Sequence, residues 1–113
     1  MIKIVTSPMT KEELKESAHE TFVSLVKAVV DIEREIMAIG GELHADEEAI
    51  LIENGSKNKN LWGINIHLNE PENEWIEFDS MINLKPALGN RSRSVENAEI
   101  QEKIKKVVSI LTK

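Results

Sequence analysis

Leu61-Trp62-Gly63-Ile64-Asn65-Ile66-His67-Leu68 decides the fold, because its apolar and polar residues alternate along the chain. Residues 49–53 and 75–82 show the same alternation on either side of it. A period of two places successive side chains on opposite faces of a β-strand. The connections between the three segments are short and rich in turn-forming residues. The three segments therefore predict an antiparallel meander with one polar face.

Two helices are predicted outside this meander. After a short strand at residues 1–5, Thr10 and Glu13 have the spacing of a capping box, which starts a helix. Apolar residues then recur at helical spacing up to Gly40-Gly41, which predicts a long first helix of about 28 residues. The apolar stripe consists of Leu14, Ala18, Phe22, Leu25, Val29, Ile32, Ile36 and Ile39. Asn97 is the predicted N-cap of a C-terminal helix.

These elements predict one α+β domain over residues 1–113, in the order β-α-β-β-β-α. The sheet is expected to be mostly antiparallel. Its apolar face and the apolar stripes of the helices require a common core. We therefore expect the long first helix and the C-terminal helix on one face of the sheet.

The predicted first helix carries more apolar surface than one sheet face can cover. Val23, Val26 and Val30 form a second apolar stripe beside the first. A monomer with such a surface would expose a large apolar patch, which is uncommon. The pattern therefore predicts a homodimer that buries the excess symmetrically through the first helix.

Composition limits the classes of function. The chain has no cysteine, which excludes disulfides, thiolate catalysis and cysteine-based zinc sites. The formal net charge of −6 marks an acidic protein and argues against nucleic acid as a partner. No apolar stretch approaches the length of a membrane span, and no signal peptide is visible. A cytoplasmic location without a membrane partner is expected.

The predicted pairing of the strands creates a first candidate site. With matched faces, His67 lies opposite Glu77 and Asn65 opposite Asp79, and the preceding loop brings Glu47 toward His67. Carboxylates raise the pKa of a histidine, and both groups bind divalent metals. His67, Glu77 and Asp79 are therefore candidate catalytic residues, and His67 and Glu77 candidate metal ligands. The alternative is an exposed ion pair of small energy.

Glu42 and His44 form a second candidate metal site, and His44 is also a candidate catalytic residue. Both lie in the polar segment that follows Gly41, together with Asp46 and Glu48. The spacing completes none of the familiar metal motifs. The alternative is a polar connection between a helix and a strand.

Arg91 and Arg93 form a candidate anion site. They lie with serines and a glycine just before the predicted C-terminal helix. Guanidinium forks and the free N–H groups of a helix N-terminus both favour a carboxylate or phosphate. The alternative is that the arginines pair with the carboxylates of Glu77 or Asp79.

Four blocks of sequence carry a family resemblance: residues 26–31, 40–46, 61–63 and 89–93. Together they resemble a family of short prokaryotic proteins catalogued as a domain of unknown function. The resemblance covers nearly the whole chain and implies a stand-alone protein. It implies no activity, cofactor or site residue.

Two functions are compatible with these patterns. The first is a small binding or interaction module with an anion site near Arg91 and Arg93. The second is a small hydrolase-like or metal-dependent enzyme that uses His44 or His67 with nearby carboxylates. The first is favoured, because the sequence completes no catalytic constellation. Convergence of both histidines and two carboxylates on one pocket would favour the enzyme.

Overall fold

The computed structural model describes residues 1–19 and 24–112. Within them the helices and strands follow the order β-α-β-β-α-β-β-α. They are β1 (Lys3–Val5), α1 (Lys11–His19), β2 (Leu25–Asp31), β3 (Ile36–Ile39), α2 (His44–Glu53), β4 (Leu61–His67), β5 (Ile76–Glu77) and α3 (Ala98–Leu111). Short 3-10 turns lie at Asn58–Asn60, Glu72–Glu74, Met81–Asn83 and Pro86–Leu88. The predicted α+β class is confirmed, but the predicted order is wrong.

The five strands form one sheet in the order β1-β3-β2-β4-β5, and each neighbouring pair is antiparallel. Helices α1 and α3 pack on one face, where Leu14 and Ile104 join the main core. Helix α2 packs on the other face, where Leu51 is fully buried against a smaller apolar cluster. The first and C-terminal helices thus share a face as predicted, but a third helix covers the opposite face.

The prediction of a long first helix is wrong for residues 25–39, which form the hairpin β2–β3 instead. A tight turn separates the two strands. The Asp31 carboxylate accepts hydrogen bonds from the backbone N–H groups of Glu33 and Arg34, both at 3.0 Å. Glu35 takes a positive φ of 57°. Residues 32–35, which fall within the predicted long helix, therefore form this turn. Residues 20–23 of the predicted helix, including Phe22 and Val23, lie outside the described part of the chain.

Both faces are buried along β3 and along β2 from Ala28 to Asp31, which explains the width of the apolar stripe. Val26 and Val30 face the main core and are only 2% and 0% exposed, while Val29 faces the smaller cluster. A central strand covered on both faces reads as a nearly continuous apolar run. The prediction of a homodimer relied on excess exposed apolar surface, and at Val26 and Val30 this surface is buried within the protein. The homodimer stays a prediction, now without that support.

Residues 49–53 were predicted as a strand and belong to α2 instead. The alternation of only five residues is too short to separate a strand from a helix. Residues 75–82 keep only a two-residue strand, β5, before the chain turns away. Both predicted helix starts are confirmed. Glu13 N–H donates to the Thr10 hydroxyl at 3.1 Å, and Asn97 Oδ1 accepts from Glu99 N–H at 2.8 Å.

Candidate functional site

The segment after β5 is held against β4 by one asparagine side chain. Asn83 is fully buried, and its Oδ1 accepts from Gly63 N–H at 2.7 Å. Its Nδ2 donates to the Gly63 carbonyl at 3.0 Å and to the Arg93 carbonyl at 2.9 Å. The Asn83 amide thus pairs with the N–H and carbonyl of Gly63 in β4 as a neighbouring strand would, at a point where β5 no longer runs beside β4. The same contacts fix the backbone of Arg93 beside β4.

A second asparagine shapes the loop that carries the arginines. Asn90 Nδ2 donates to the carbonyls of Asn83 and Ser94, both at 2.7 Å, and its Oδ1 accepts from Glu96 N–H at 2.8 Å. Because Asn90 is itself buried, these bonds lie away from water. The segment from Asn83 to Glu96 is therefore an ordered loop.

An open cleft of about 390 Å³ lies between the segment from Asp79 to Ile82 that follows β5, Arg93 of this loop, the start of α2, and one face of β2 and β4. Its charged and polar lining consists of Lys27, His44, Asn65, Asp79, Ser80 and Arg93, and its apolar lining of Leu25, Leu43, Ala45, Met81 and Ile82. The volume falls in the range of small-molecule sites. It lies on the sheet face that α2 only partly covers.

Arg93 reaches the cleft and Arg91 does not. The Arg93 Nε–H donates to Asp79 Oδ1 at 2.8 Å, and both side chains are about half exposed. This is the internal ion pair expected as the alternative to an outside anion. Arg91 is exposed, and its backbone N–H donates to the Glu96 carboxylate at 3.1 Å. The hydrogen bond from the Ser92 side chain is the largest cause that lowers the pKa of Glu96. The hydrogen bonds from the backbone N–H groups of Arg91 and Ser92 lower it further.

His44 is the first residue of α2 and lies partly buried in the cleft. Its Nε2 lies 2.8 Å from the Ile64 carbonyl oxygen, which can only accept, so Nε2 carries the proton. Burial lowers the pKa of His44, the hydrogen bond to the Ile64 carbonyl opposes this in part, and of the nearby charges Lys27 and Arg93 lower the pKa while Asp79 raises it. The imidazole is therefore neutral at pH 7, with Nδ1 as a hydrogen-bond acceptor.

The start of α2 supplies hydrogen-bond donors. Leu43 is the N-cap residue, and an apolar side chain cannot cap the first turn. Asp46 N–H is paired with the Leu43 carbonyl at 3.1 Å. Across the described ranges, the backbone N–H groups of His44 and Ala45 find no acceptor. Unpaired N–H groups and the helix dipole both favour a negative group at this point.

Asn65, His67 and Glu77 lie together on the same sheet face, as the sequence predicted. The register is shifted by two residues from the predicted one, because Asn65 and not His67 lies opposite Glu77. Glu77 Oε1 accepts from Asn65 Nδ2 at 3.1 Å and lies 3.0 Å from His67 Nε2. These hydrogen bonds lower the pKa of Glu77, with the bond to His67 as the larger cause. The predicted pairing of Asn65 with Asp79 exists only to the Asp79 backbone carbonyl, at 3.2 Å.

The candidate metal ligands do not converge. His44 lines the cleft, whereas His67 pairs with Glu77 beside it and Glu42 is exposed before α2. Among residues 1–19 and 24–112, no three His, Asp or Glu side chains come together as metal ligands would. The expected approach of Glu47 to His67 is also wrong, because Glu47 is a buried residue of α2 and its carboxyl group accepts from Gly41 N–H at 3.0 Å.

Sequence reasoning missed Lys27, Leu43 and Met81 as lining residues. Lys27 falls within the predicted long first helix, whereas it lies on β2 directly opposite Asn65. The run of β-branched residues around it, from Val26 to Val30, was the signal for a strand. Leu43 and Met81 carried no signal, because only the fold brings them to the mouth of one cleft.

Comparisons with known proteins agree with the resemblance seen in the sequence. None of the helices described is both long and apolar enough to cross a membrane. No curated protein and no solved structure shows significant similarity to the chain. Residues 3–111 match the family described as "Protein of unknown function (DUF5674)". Because this match spans nearly the whole sequence, the chain belongs to the DUF5674 family.

Proposed function

We propose that the protein is a binding module whose cleft takes a small organic carboxylate. The observation that carries this proposal is the position of Arg93. Arg93 lines the cleft together with His44 and Ala45, the residues at the start of α2 whose backbone N–H groups find no acceptor among the described residues. Only its Nε is used by Asp79 among the described residues, so its terminal N–H groups remain for a ligand. A planar carboxylate matches the guanidinium fork.

The charge of the cleft favours a single negative charge on the ligand. Lys27 and Arg93 are positive, Asp79 is negative and His44 is neutral. The lining therefore carries a net charge of about +1 at pH 7. A monoanionic carboxylate balances this charge, whereas a dianionic phosphate exceeds it.

The mouth of the cleft favours a ligand with an apolar part. Leu43 and Met81 are 56% and 62% exposed, which is high for large apolar side chains. They line the same cleft, and Leu25 and Ile82 extend the apolar lining between them. A branched hydrocarbon chain would cover these side chains and gain about 25 cal/mol for each Å² removed from water.

Replacing Arg93 tests the proposal. We expect Arg93→Ala to weaken the binding of 4-methylpentanoate at least about 10-fold, because a hydrogen bond to a charged group is lost. Stability should change little, since the ion pair with Asp79 is half exposed. Titration calorimetry measures the affinity, and urea unfolding measures the stability.

Arg91→Ala is the matched control. It removes the same charge from the same loop, but the Arg91 side chain lies outside the cleft lining. Its affinity for 4-methylpentanoate should stay within about twofold of the native value, since long-range charge effects are screened. Equal losses in both variants would show that the loop acts only through its charge, and the proposed site would be wrong.

The alternative function, a hydrolase-like or metal-dependent enzyme, has less support. Only His44 and Asp79 of the candidate catalytic residues line the cleft. His67 and Glu77 pair with each other outside the lining. A base without a positioned nucleophile or metal makes an incomplete catalytic site.

A further inference from the structure

We propose that Glu47 controls the carboxylate site: the cleft binds its ligand while the Glu47 carboxyl group is protonated and releases it when that group ionises. This inference rests on the proposed function and adds the regulation of the same site by pH. It is carried by the position of Glu47, in the turn of α2 that follows His44. The side chain is fully buried, and its Oε1 has no hydrogen-bond partner among the described residues. A buried carboxyl group costs free energy, so its presence here needs a reason.

The Glu47 side chain closes a loop around the backbone that begins α2. Its Oε2 accepts from Gly41 N–H at 3.0 Å, and the residues between them include His44 and Ala45. The backbone N–H groups of those two residues are the proposed donors to the ligand. Gly41 allows this close approach, because a Cβ at Gly41 would lie 2.9 Å from Glu47 Cγ. Glu47 is therefore a positioning residue for the start of α2.

The surroundings of Glu47 keep its carboxyl group neutral at pH 7. Burial raises the pKa of Glu47 to about 9, the hydrogen bond from Gly41 and the charge of Lys27 oppose this in part, and Asp46 adds to it. Asp31 also lies on this face of β2, but its carboxylate is bonded to the turn after the strand. The apolar side chains of β1 and β3 on this face are Ile4, Ile36 and Ala38.

Lys27 links Glu47 to the cleft electrostatically. It lines the cleft, and its positive charge lowers the pKa of both His44 and Glu47. While Glu47 is protonated, the net charge of about +1 in the lining and the positive end of the α2 dipole both favour the ligand. An ionised Glu47 would cancel that charge and place a second carboxylate at the start of one helix. Ionisation of Glu47 and binding of a carboxylate therefore oppose each other.

Titration calorimetry with 4-methylpentanoate at pH 7.5 and pH 9.5 tests this inference. The ligand stays ionised and His44 stays neutral over this range. We expect the affinity of the native protein to fall about 4-fold, because with a pKa of about 9 only about a quarter of Glu47 is protonated at pH 9.5. Circular dichroism at both pH values checks that folded protein is compared.

Two variants of α2 serve as controls. Glu47→Gln is neutral at every pH and keeps an oxygen for Gly41 N–H, so its affinity should change by less than about 1.5-fold. Glu53→Gln replaces an exposed glutamate at the other end of the helix and should follow the native protein.

The outcomes separate this inference from the proposed function. Binding at pH 7.5 that is unchanged at pH 9.5 would overturn the control by Glu47 and leave the carboxylate site intact. An equal fall in the native protein and in Glu47→Gln would also overturn it, because another group would then be responsible. No binding of 4-methylpentanoate at either pH would overturn both proposals.

A second measurement needs no variant, so it decides the matter even if Glu47→Gln fails to fold. Because linkage is reciprocal, a bound carboxylate must raise the pH at which Glu47 ionises. NMR detection of the Glu47 side-chain carboxyl carbon follows this ionisation in the native protein, with and without 4-methylpentanoate. We expect the midpoint to rise by about 1 pH unit at a ligand concentration about 10 times Kd. An unchanged midpoint in the presence of bound ligand would overturn the inference.

Discussion

Asn83→Ala should lower the free energy of unfolding by about 3 kcal/mol or more. The Asn83 side chain is fully buried and makes three hydrogen bonds to backbone groups of Gly63 and Arg93. Alanine cannot replace them, so the N–H and carbonyl of Gly63 lose their side-chain partner inside the protein. The loss of several buried contacts at one residue belongs to the largest effects of single substitutions. Urea unfolding followed by circular dichroism measures the change.

Asn73→Ala is the control for this variant. Asn73 is exposed in the turn before β5, and no hydrogen bond of its side chain is found among the described residues. Its free energy of unfolding should change by less than about 0.5 kcal/mol. If Asn83→Ala is as mild as this control, the amide of Asn83 is not what holds the loop against β4.

The stability of the native protein should fall between pH 7 and pH 9 because of Glu47. Burial raises the pKa of Glu47 to about 9, and the hydrogen bond from Gly41 N–H offsets this only in part. The folded state therefore holds a proton that the unfolded state releases near the ordinary glutamate pKa. Stability is fully present below that ordinary value and is lost as pH rises through about 9. The slope reaches about −1.4 kcal/mol per pH unit.

Glu47→Gln isolates this effect, because glutamine is neutral at every pH and keeps an oxygen for Gly41 N–H. Its free energy of unfolding should be flatter than that of the native protein between pH 7 and pH 9. Glu53→Gln, on the exposed end of the same helix, should follow the native curve. Parallel curves for the native protein and Glu47→Gln in urea titrations at several pH values would show that Glu47 is ionised in the folded state.

Local signals in the sequence predicted several elements correctly. The alternation along β4 placed Trp62, Ile64 and Ile66 in the core, and Asn65 and His67 on the opposite face. The two caps, at Thr10 and Asn97, depend on residues only a few positions apart. Such caps can be predicted from the sequence because their hydrogen bonds join residues that are close together in the chain and need no distant partner.

The hairpin β2–β3 was mistaken for a helix because its apolar residues fit the spacing of a helix face as well as that of a strand. A strand buried on both faces loses its alternation, and the run from Val26 to Val30 then also fits helical spacing. Asp31 stabilises the turn through hydrogen bonds to its side chain. The spacing of apolar residues gives no indication of such a turn. Tertiary burial, rather than local propensity, decides between the two structures.

The candidate site could be predicted only in part. Arg93, Asp79 and His44 were named from their chemistry, and the structure brings all three to the cleft. Their convergence depends on Asn83, which joins segments 20 residues apart through its hydrogen bonds to Gly63. It also depends on α2, which was predicted as a strand. Contacts over such separations leave no periodic signal in the sequence.

The most direct measurement of the central claim is an NMR titration of the isotope-labelled protein with 4-methylpentanoate. If the cleft binds the acid, saturable shifts should concentrate at the backbone amides of His44 and Ala45 and at the Nε–H of Arg93. The Arg91 Nε–H, in the same loop, should shift little. Shifts that never saturate, or saturable shifts confined to residues outside the cleft, would contradict the claim that this cleft is the binding site.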